Sequence, residues 1–169
     1  MADPKSRERL QPALLDRLTD DEPGERTEPA ERRVFSLKRL KASVVRDLQW
    51  LFNTGAMFSG DEADGHPTVA TSVLNYGVPS FAGLSASGLK IRDLEHTIRD
   101  CIWAFEPRLM RDSVKVKAVT AEEMDHRAVV FEISANLWSE PVPLELFLRT
   151  EVDLESGHAI VRDAGREST

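Results

Sequence analysis

The spacing of apolar residues in this chain changes from helical to strand-like at the step Glu106-Pro107-Arg108. Before the step, apolar residues recur three and four positions apart, which places them on one side of an α-helix. After it, they alternate with polar residues, as in strands that bury one face. Pro107 ends the helix because proline has no N–H and disfavours helical backbone at the preceding residue. Helices followed by strands, without βαβ alternation, predict an α+β fold.

Two main helices are predicted before this step. The first covers residues 36–52, and the second lies within 88–109, with Ser85 and Ser87 as candidate N-caps. One or two helical turns are expected over 68–75. We therefore predict two main helices plus a short helix, packed on one face of a small antiparallel sheet of three to four strands. Strands are expected at 114–118, 129–137, 144–154 and, as a short fourth strand, 159–162.

The N-terminal fifth of the chain differs in composition from the rest. Residues 1–33 are rich in charge and proline, which predicts a flexible tail before an α+β domain at 34–163 and a disordered C terminus at 164–169. A short amphipathic segment at 10–18 interrupts the tail and is too short to be a stable helix alone. It either packs on its own domain or folds into a groove of a partner, and the pattern does not separate these interpretations. Its apolar residues are Leu10, Leu14, Leu15 and Leu18.

Composition and motifs argue against several functional classes. The net charge of −7 argues against nucleic acid or an anionic membrane as the main partner. The single cysteine, Cys101, lies on the apolar stripe, where a structural thiol is expected. No apolar run approaches ~18 residues, so neither a signal peptide nor a membrane span is predicted. No phosphate-binding loop or nucleophile motif is present, and the histidines lie too far apart for a metal site, so no catalytic residue, metal or cofactor is predicted. The histidines are His66, His96, His126 and His158.

Three features suggest binding to another protein. Trp103 falls opposite the apolar stripe of its helix, so it is either covered by a second layer of its own domain, which is slightly favoured, or offered to a partner. Glu106 and Arg108 flank a proline, and residue types alone favour an exposed ion pair worth ~0–1 kcal/mol over a rigid pair presented to another chain. A small sheet also has edges that can accept a strand, which Lys115 and Lys117 would guard against unwanted pairing.

Five segments of the chain, taken in order, resemble a known family. They are Pro12–Leu18, Ser43–Leu48, Val73–Pro79, Phe105–Leu109 and Phe131–Leu137. Together they are similar to TssE, the small baseplate component of bacterial type VI secretion systems, and so to the baseplate wedge proteins of contractile phage tails. The resemblance extends over about residues 10–161.

The resemblance implies a structural, non-enzymatic role in the cytoplasm, at the membrane-docked baseplate. It implies the wedge subunits TssF, TssG and TssK and the sheath subunits TssB and TssC as partners, with strand exchange starting the sheath. Neither nucleic acid nor membrane insertion is implied. In the family the Glu-Pro-Arg motif contacts neighbouring wedge components, which reverses the preference stated above for an exposed ion pair. The predicted partner-binding residues are Glu106, Pro107, Arg108, Leu10, Leu14, Leu15, Leu18 and Trp103.

Two alternatives to this function remain open. Members of the family have been labelled lysozyme-like, which would make the chain a peptidoglycan hydrolase. That reaction needs a defined acid and nucleophile, and no such pair can be singled out among the 29 acidic residues. The chain could also be the equivalent wedge protein of a contractile phage tail or tailocin.

Overall fold

A computed structural model describes residues 13–19, 23–24, 37–58, 66–80, 91–119, 128–138 and 143–165. The helices are α1 (Leu14–Leu18), α2 (Leu37–Phe52), α3 (Pro67–Ala70) and α4 (Ile91–Phe105). Short 3-10 turns cover Val73–Asn75 and Arg111–Ser113. The strands are β1 (Lys115–Val119), β2 (Ala128–Leu137), β3 (Leu144–Asp153) and β4 (Ala159–Asp163). Leu10, Ser85 and Ser87 lie outside the described residues.

The strands form one antiparallel sheet in the order β1-β2-β3-β4. This arrangement confirms the predicted α+β fold, including the short fourth strand. Alternation along the strands decides which residues face the helices, because successive side chains point to opposite faces. The inward side chains of β2 and β3 join the stripes of α2 and α4 in one apolar core. Its fully buried members include Val44, Leu48, Ile98, Ile102, Phe131, Ile133, Leu137, Leu146 and Leu148.

The Glu106-Pro107-Arg108 step is joined directly to the end of β2. The Trp138 N–H donates to the Arg108 carbonyl at 2.8 Å, and the Met110 N–H donates to the Asn136 carbonyl at 2.9 Å. Leu109 and Leu137 form an isolated antiparallel bridge between these two bonds. The step therefore extends the sheet before β1 begins, and it holds the end of α4 at a set position beside β2.

The turn after the Val73–Asn75 helix depends on a glycine. Gly77 has φ +135, and a Cβ there would overlap the backbone of Thr54 and Gly55. This close approach lets Val78 donate to the Thr54 carbonyl at 2.8 Å and accept from the Ala56 N–H at 2.9 Å. The two bonds attach the segment before α4 to the end of α2.

We expect Gly77→Ala to lower the free energy of unfolding by more than about 1 kcal/mol, because alanine strains the backbone at positive φ. Gly55→Ala is the matched control, since a Cβ at Gly55 meets nothing within 4 Å. Urea unfolding of the two variants measures the difference. Equal stability would show that the turn relaxes around a side chain.

Candidate functional site

Arg108 lies at the centre of a group of paired polar side chains at the end of α4. Its guanidinium donates from Nε to Glu106 Oε1 at 2.7 Å and from Nη2 to Glu106 Oε2 at 2.5 Å. It also donates from Nη1 to Ser43 Oγ at 3.1 Å and from Nη2 to Asp47 Oδ2 at 2.5 Å. We call Ser43, Asp47, Glu106 and Arg108 the corner cluster. It joins α2 to the turn that leads into the sheet.

The corner cluster is largely withdrawn from solvent. Glu106 is 4% exposed, while the side chains of Arg108 and Asp47 are 22% and 23% exposed. Burial alone lowers the pKa of Arg108, but the hydrogen bonds and charges of Glu106 and Asp47 outweigh it, so this pKa lies above its ordinary value. Arg108 is therefore charged at any physiological pH, and it neutralises two carboxylates that are costly to bury unpaired.

The helical repeat explains why α2 supplies two members of the corner cluster. Ser43 and Asp47 are four residues apart and so lie on one side of α2, beside the apolar stripe. Tyr76 covers this region: its hydroxyl donates to the Asp47 carbonyl at 3.4 Å, and its ring packs edge-to-face on Phe105 with centroids 5.3 Å apart. Burial, with the nearby Asp47 and Glu106 charges, raises the pKa of Tyr76, which keeps its hydroxyl protonated.

A second ion pair connects the corner cluster to α1. Arg46 donates from Nε to Asp47 Oδ1 at 2.9 Å and from Nη1 to Asp16 Oδ1 at 2.7 Å. Burial lowers the pKa of Arg46, yet hydrogen bonds to Asp16 and Asp47 raise it overall. Asp16 lies on the polar side of α1, and its side chain is only 7% exposed.

The apolar side of α1 is turned away from this ion pair. Leu14 is 68% exposed and Leu18 is 73% exposed, whereas Leu15 is less exposed at 42%. None of the three α1 leucines is buried. The structure therefore fixes α1 to α2 through a charge while leaving its leucines uncovered by the residues described here.

Trp103 is half-buried and packs against the apolar core. Its Nε1 donates to the Arg111 carbonyl at 3.0 Å, and the Arg99 guanidinium lies 4.5 Å from the ring centroid. Part of this ring is thus covered by its own domain. Trp50 on α2 is more open, at 50% exposure, with Arg46 over its ring.

The described residues were compared with what a reactive thiol, a metal site and a membrane-spanning helix require. Burial, with a contribution from Asp100, raises the pKa of the Cys101 thiol to about 11, so it stays protonated and weakly nucleophilic. No group of three or more histidine, cysteine, aspartate or glutamate side chains suited to a metal ion occurs within these ranges. None of the helices there is both long and apolar enough to cross a membrane.

More than half of this chain matches a known protein family. Residues 38–142 match the family model described as baseplate wedge protein gp25. The chain belongs to the baseplate wedge protein gp25 family. Comparisons with curated proteins and with solved structures returned no match.

Membership of the wedge family confirms the resemblance found in the sequence and makes the chain a structural component of a baseplate. Its partners are accordingly other baseplate components. The matched region contains α2 except for its first residue, together with α4, the corner cluster, β1 and β2. It excludes α1, β3 and β4.

The structure places the predicted partner-binding residues of this wedge protein in three surroundings. Glu106 and Arg108 are paired internally, and Pro107 between them is exposed. Leu14, Leu15 and Leu18 lie on α1, and Trp103 lies in the last turn of α4, beside Arg111. Sequence reasoning missed the other residues that form ion pairs or hydrogen bonds with these side chains. The spacing of Ser43 and Asp47 beside an apolar stripe was the available signal; the missed residues are Asp16, Ser43, Arg46 and Asp47.

Proposed function

We propose that this chain is the sheath-initiating component of a type VI secretion baseplate, the role that the resemblance to TssE implies. It joins wedge subunits of the TssF, TssG and TssK type and starts polymerisation of TssB–TssC sheath by strand augmentation. The observation that carries the proposal is the family match over 38–142, which includes the corner between helices and sheet. This role is non-enzymatic and places the chain in the cytoplasm, at the membrane-docked baseplate.

The first contact that we propose is made by α1. Two leucines exposed on one short helix are unfavourable in water unless a partner covers them. The Asp16–Arg46 pair holds α1 on the domain, so that a wedge subunit meets a pre-positioned apolar surface. Pre-positioning reduces the entropy lost on binding, which favours a stable joint with the wedge. Leu10, earlier in the same amphipathic pattern, extends this surface in the proposal.

The second contact is the corner. Glu106 is buried and occupied by Arg108, so in this proposal both act by fixing the turn. The direct contact with a wedge subunit then falls on Pro107 and on Trp138, which is 61% exposed and bonded to the Arg108 carbonyl. A large aromatic side chain beside a rigid turn is well suited to anchor an interface. In the same proposal, the exposed part of the Trp103 ring also contacts a wedge subunit.

The third contact is the sheet, which has β1 and β4 as its edge strands. An extended segment of a sheath subunit can continue the hydrogen-bond ladder at an edge. Because the corner cluster and the β2 bonds hold the sheet against α2 and α4, a strand added there takes a defined direction relative to the wedge. That geometry is what a template for the first sheath ring requires.

Co-purification tests this function directly. We expect the tagged chain to capture both the TssF–TssG wedge complex and the TssB–TssC heterodimer from separately purified stocks. Capture of the wedge without the sheath would favour a wedge protein that takes no part in sheath initiation. Clearing of peptidoglycan in a zymogram, lost on replacing a single carboxylate, would instead favour the hydrolase alternative.

A further inference from the structure

The two edges of the sheet differ in how their outward peptide groups are occupied. In an antiparallel ladder, the N–H and C=O of one residue point to the same side, and successive residues alternate. At the two ends of β4, the Ala164 N–H donates to the Phe147 carbonyl of β3, and the His158 carbonyl accepts from the Asp153 N–H. The intervening Ala159 and Val161 therefore face away from β3, toward the edge.

The β4 edge is closed by two side-chain amides from α2. Gln49 Oε1 accepts from the Val161 N–H at 2.7 Å, and Asn53 Oδ1 accepts from the Ala159 N–H at 3.0 Å. Both amides also donate to the Ala159 carbonyl, at 2.5 Å from Gln49 and 2.8 Å from Asn53. Because an amide carries a donor and an acceptor like a peptide group, this pair substitutes for an added strand. An incoming strand would have to displace four hydrogen bonds here.

Among the described residues, one side-chain bond holds the β1 edge. Glu95 Oε1 on α4 accepts from the Ala118 N–H at 2.7 Å, which shows that Ala118 faces the edge. Val116 faces the same way by alternation, and its N–H and C=O bond to no residue within the described ranges. Among the residues that the structure describes, the outward N–H and C=O of Val116 are thus both available to an added strand. The Glu95 carboxylate must move before the Ala118 N–H becomes available as well.

We propose that β1, and not β4, receives the added sheath strand, with Val116 at the centre of the pairing. This inference rests on the proposed function, because it names the edge at which sheath augmentation takes place. In this arrangement Glu95 is the side chain that the incoming strand displaces, and Gln49 and Asn53 direct it away from β4.

The surroundings of β1 define the chemistry of the incoming segment. Lys115 and Lys117 are exposed on the outer face, on either side of Val116. Cross-strand neighbours of opposite charge stabilise a pair, so acidic residues are favoured opposite the lysines. The residue opposite Val116 points to the inner face and is favoured to be apolar. The partner segment is therefore an extended stretch with an acidic-apolar-acidic alternation.

Proline substitution separates the two edges. Val116→Pro removes an outward N–H without breaking a β1–β2 bond, since proline is tolerated where the N–H faces away from the sheet. Asp163→Pro is the matched control, because Asp163 also faces outward, on β4. We expect Val116→Pro to weaken capture of purified TssB–TssC about tenfold or more, equivalent to a lost hydrogen bond plus a clash. Asp163→Pro should leave capture within about twofold, and Glu95→Ala should strengthen it by freeing the Ala118 N–H.

Amide hydrogen exchange on the unmodified chain gives a test that does not depend on folding of the variants. Adding TssB–TssC should protect the Val116 and Ala118 amides and leave those of Ala159 and Val161 unchanged. Protection at β4 instead of β1, or loss of capture in Asp163→Pro but not Val116→Pro, would overturn the edge assignment. The edge assignment would also be overturned if Val116→Pro kept its capture of TssB–TssC but lost self-association, since the β1 edge would then bind a second copy of this chain. Failure of the unmodified chain to capture TssB–TssC would contradict the proposed function itself.

Discussion

Replacing Arg108 by methionine is expected to lower the free energy of unfolding by about 3–5 kcal/mol, the usual cost of removing one partner of a buried ion pair. Methionine keeps the length of the side chain but leaves Glu106 buried without a donor and Asp47 without a partner on that side. Ser43 loses its guanidinium donor as well. Urea unfolding followed by circular dichroism measures the change. The loss is the sum of an unpaired buried carboxylate and weaker attachment of the corner to α2.

Arg162→Met is the matched control for this prediction. Arg162 pairs with Glu151 at 3.6 Å, and both side chains are well exposed. Such pairs contribute about 0–1 kcal/mol, so this variant should unfold almost like the unmodified chain. A double variant, Arg108→Met with Glu106→Gln, should recover part of the loss because the uncompensated charge is removed. Arg108→Met and Arg162→Met with similar stability would show that the corner cluster contributes little to folding.

Replacing Leu14 and Leu18 together by aspartate is expected to abolish capture of the TssF–TssG wedge while leaving thermal stability unchanged. Both side chains are highly exposed, so their removal takes no apolar area from the core. In the proposed complex they are buried, and two charges in an apolar groove cost several kcal/mol. Pull-down with purified wedge complex measures binding, and differential scanning calorimetry measures the melting temperature.

Arg17→Asp is the control for the leucine pair. It lies on the same helix, is exposed, and changes the net charge by the same amount as the double leucine variant. Wedge capture should survive this substitution, since the proposed contact is apolar. A large drop in melting temperature for the leucine variant would mean that the α1 leucines pack on their own domain, which is the other interpretation left open by the sequence.

The fold was predictable because the spacing of apolar residues along a helix or strand indicates directly which of its faces is buried. The stripes of α2 and α4 and the alternation along β2 and β3 appear in the structure with end points shifted by at most a few residues. The change of period at Pro107 separated helices from strands for the same reason. Local patterns of this kind are sufficient for an α+β domain whose consecutive strands are all neighbours.

The site was less predictable because its contacts join positions far apart in the chain. Arg108 meets Ser43 across 65 positions and Asp47 across 61, and no local pattern reports such pairs. The closure of β4 has the same origin, since Gln49 reaches Val161 across 112 positions. From the sequence, Glu106 and Arg108 could be read as an exposed pair or as a pair presented to another chain, and neither reading includes α2. Only the packed structure shows that both side chains form their ion pairs within the domain.

Sheath assembly on purified baseplate wedges tests the central proposal most directly. TssB–TssC is added to wedge complexes with and without this chain, and sheaths attached to wedges are counted by negative-stain electron microscopy. If the chain initiates polymerisation, sheaths should start at wedges only when it is present, and free sheath should be unaffected. Equal numbers of wedge-attached sheaths in its absence would contradict the account.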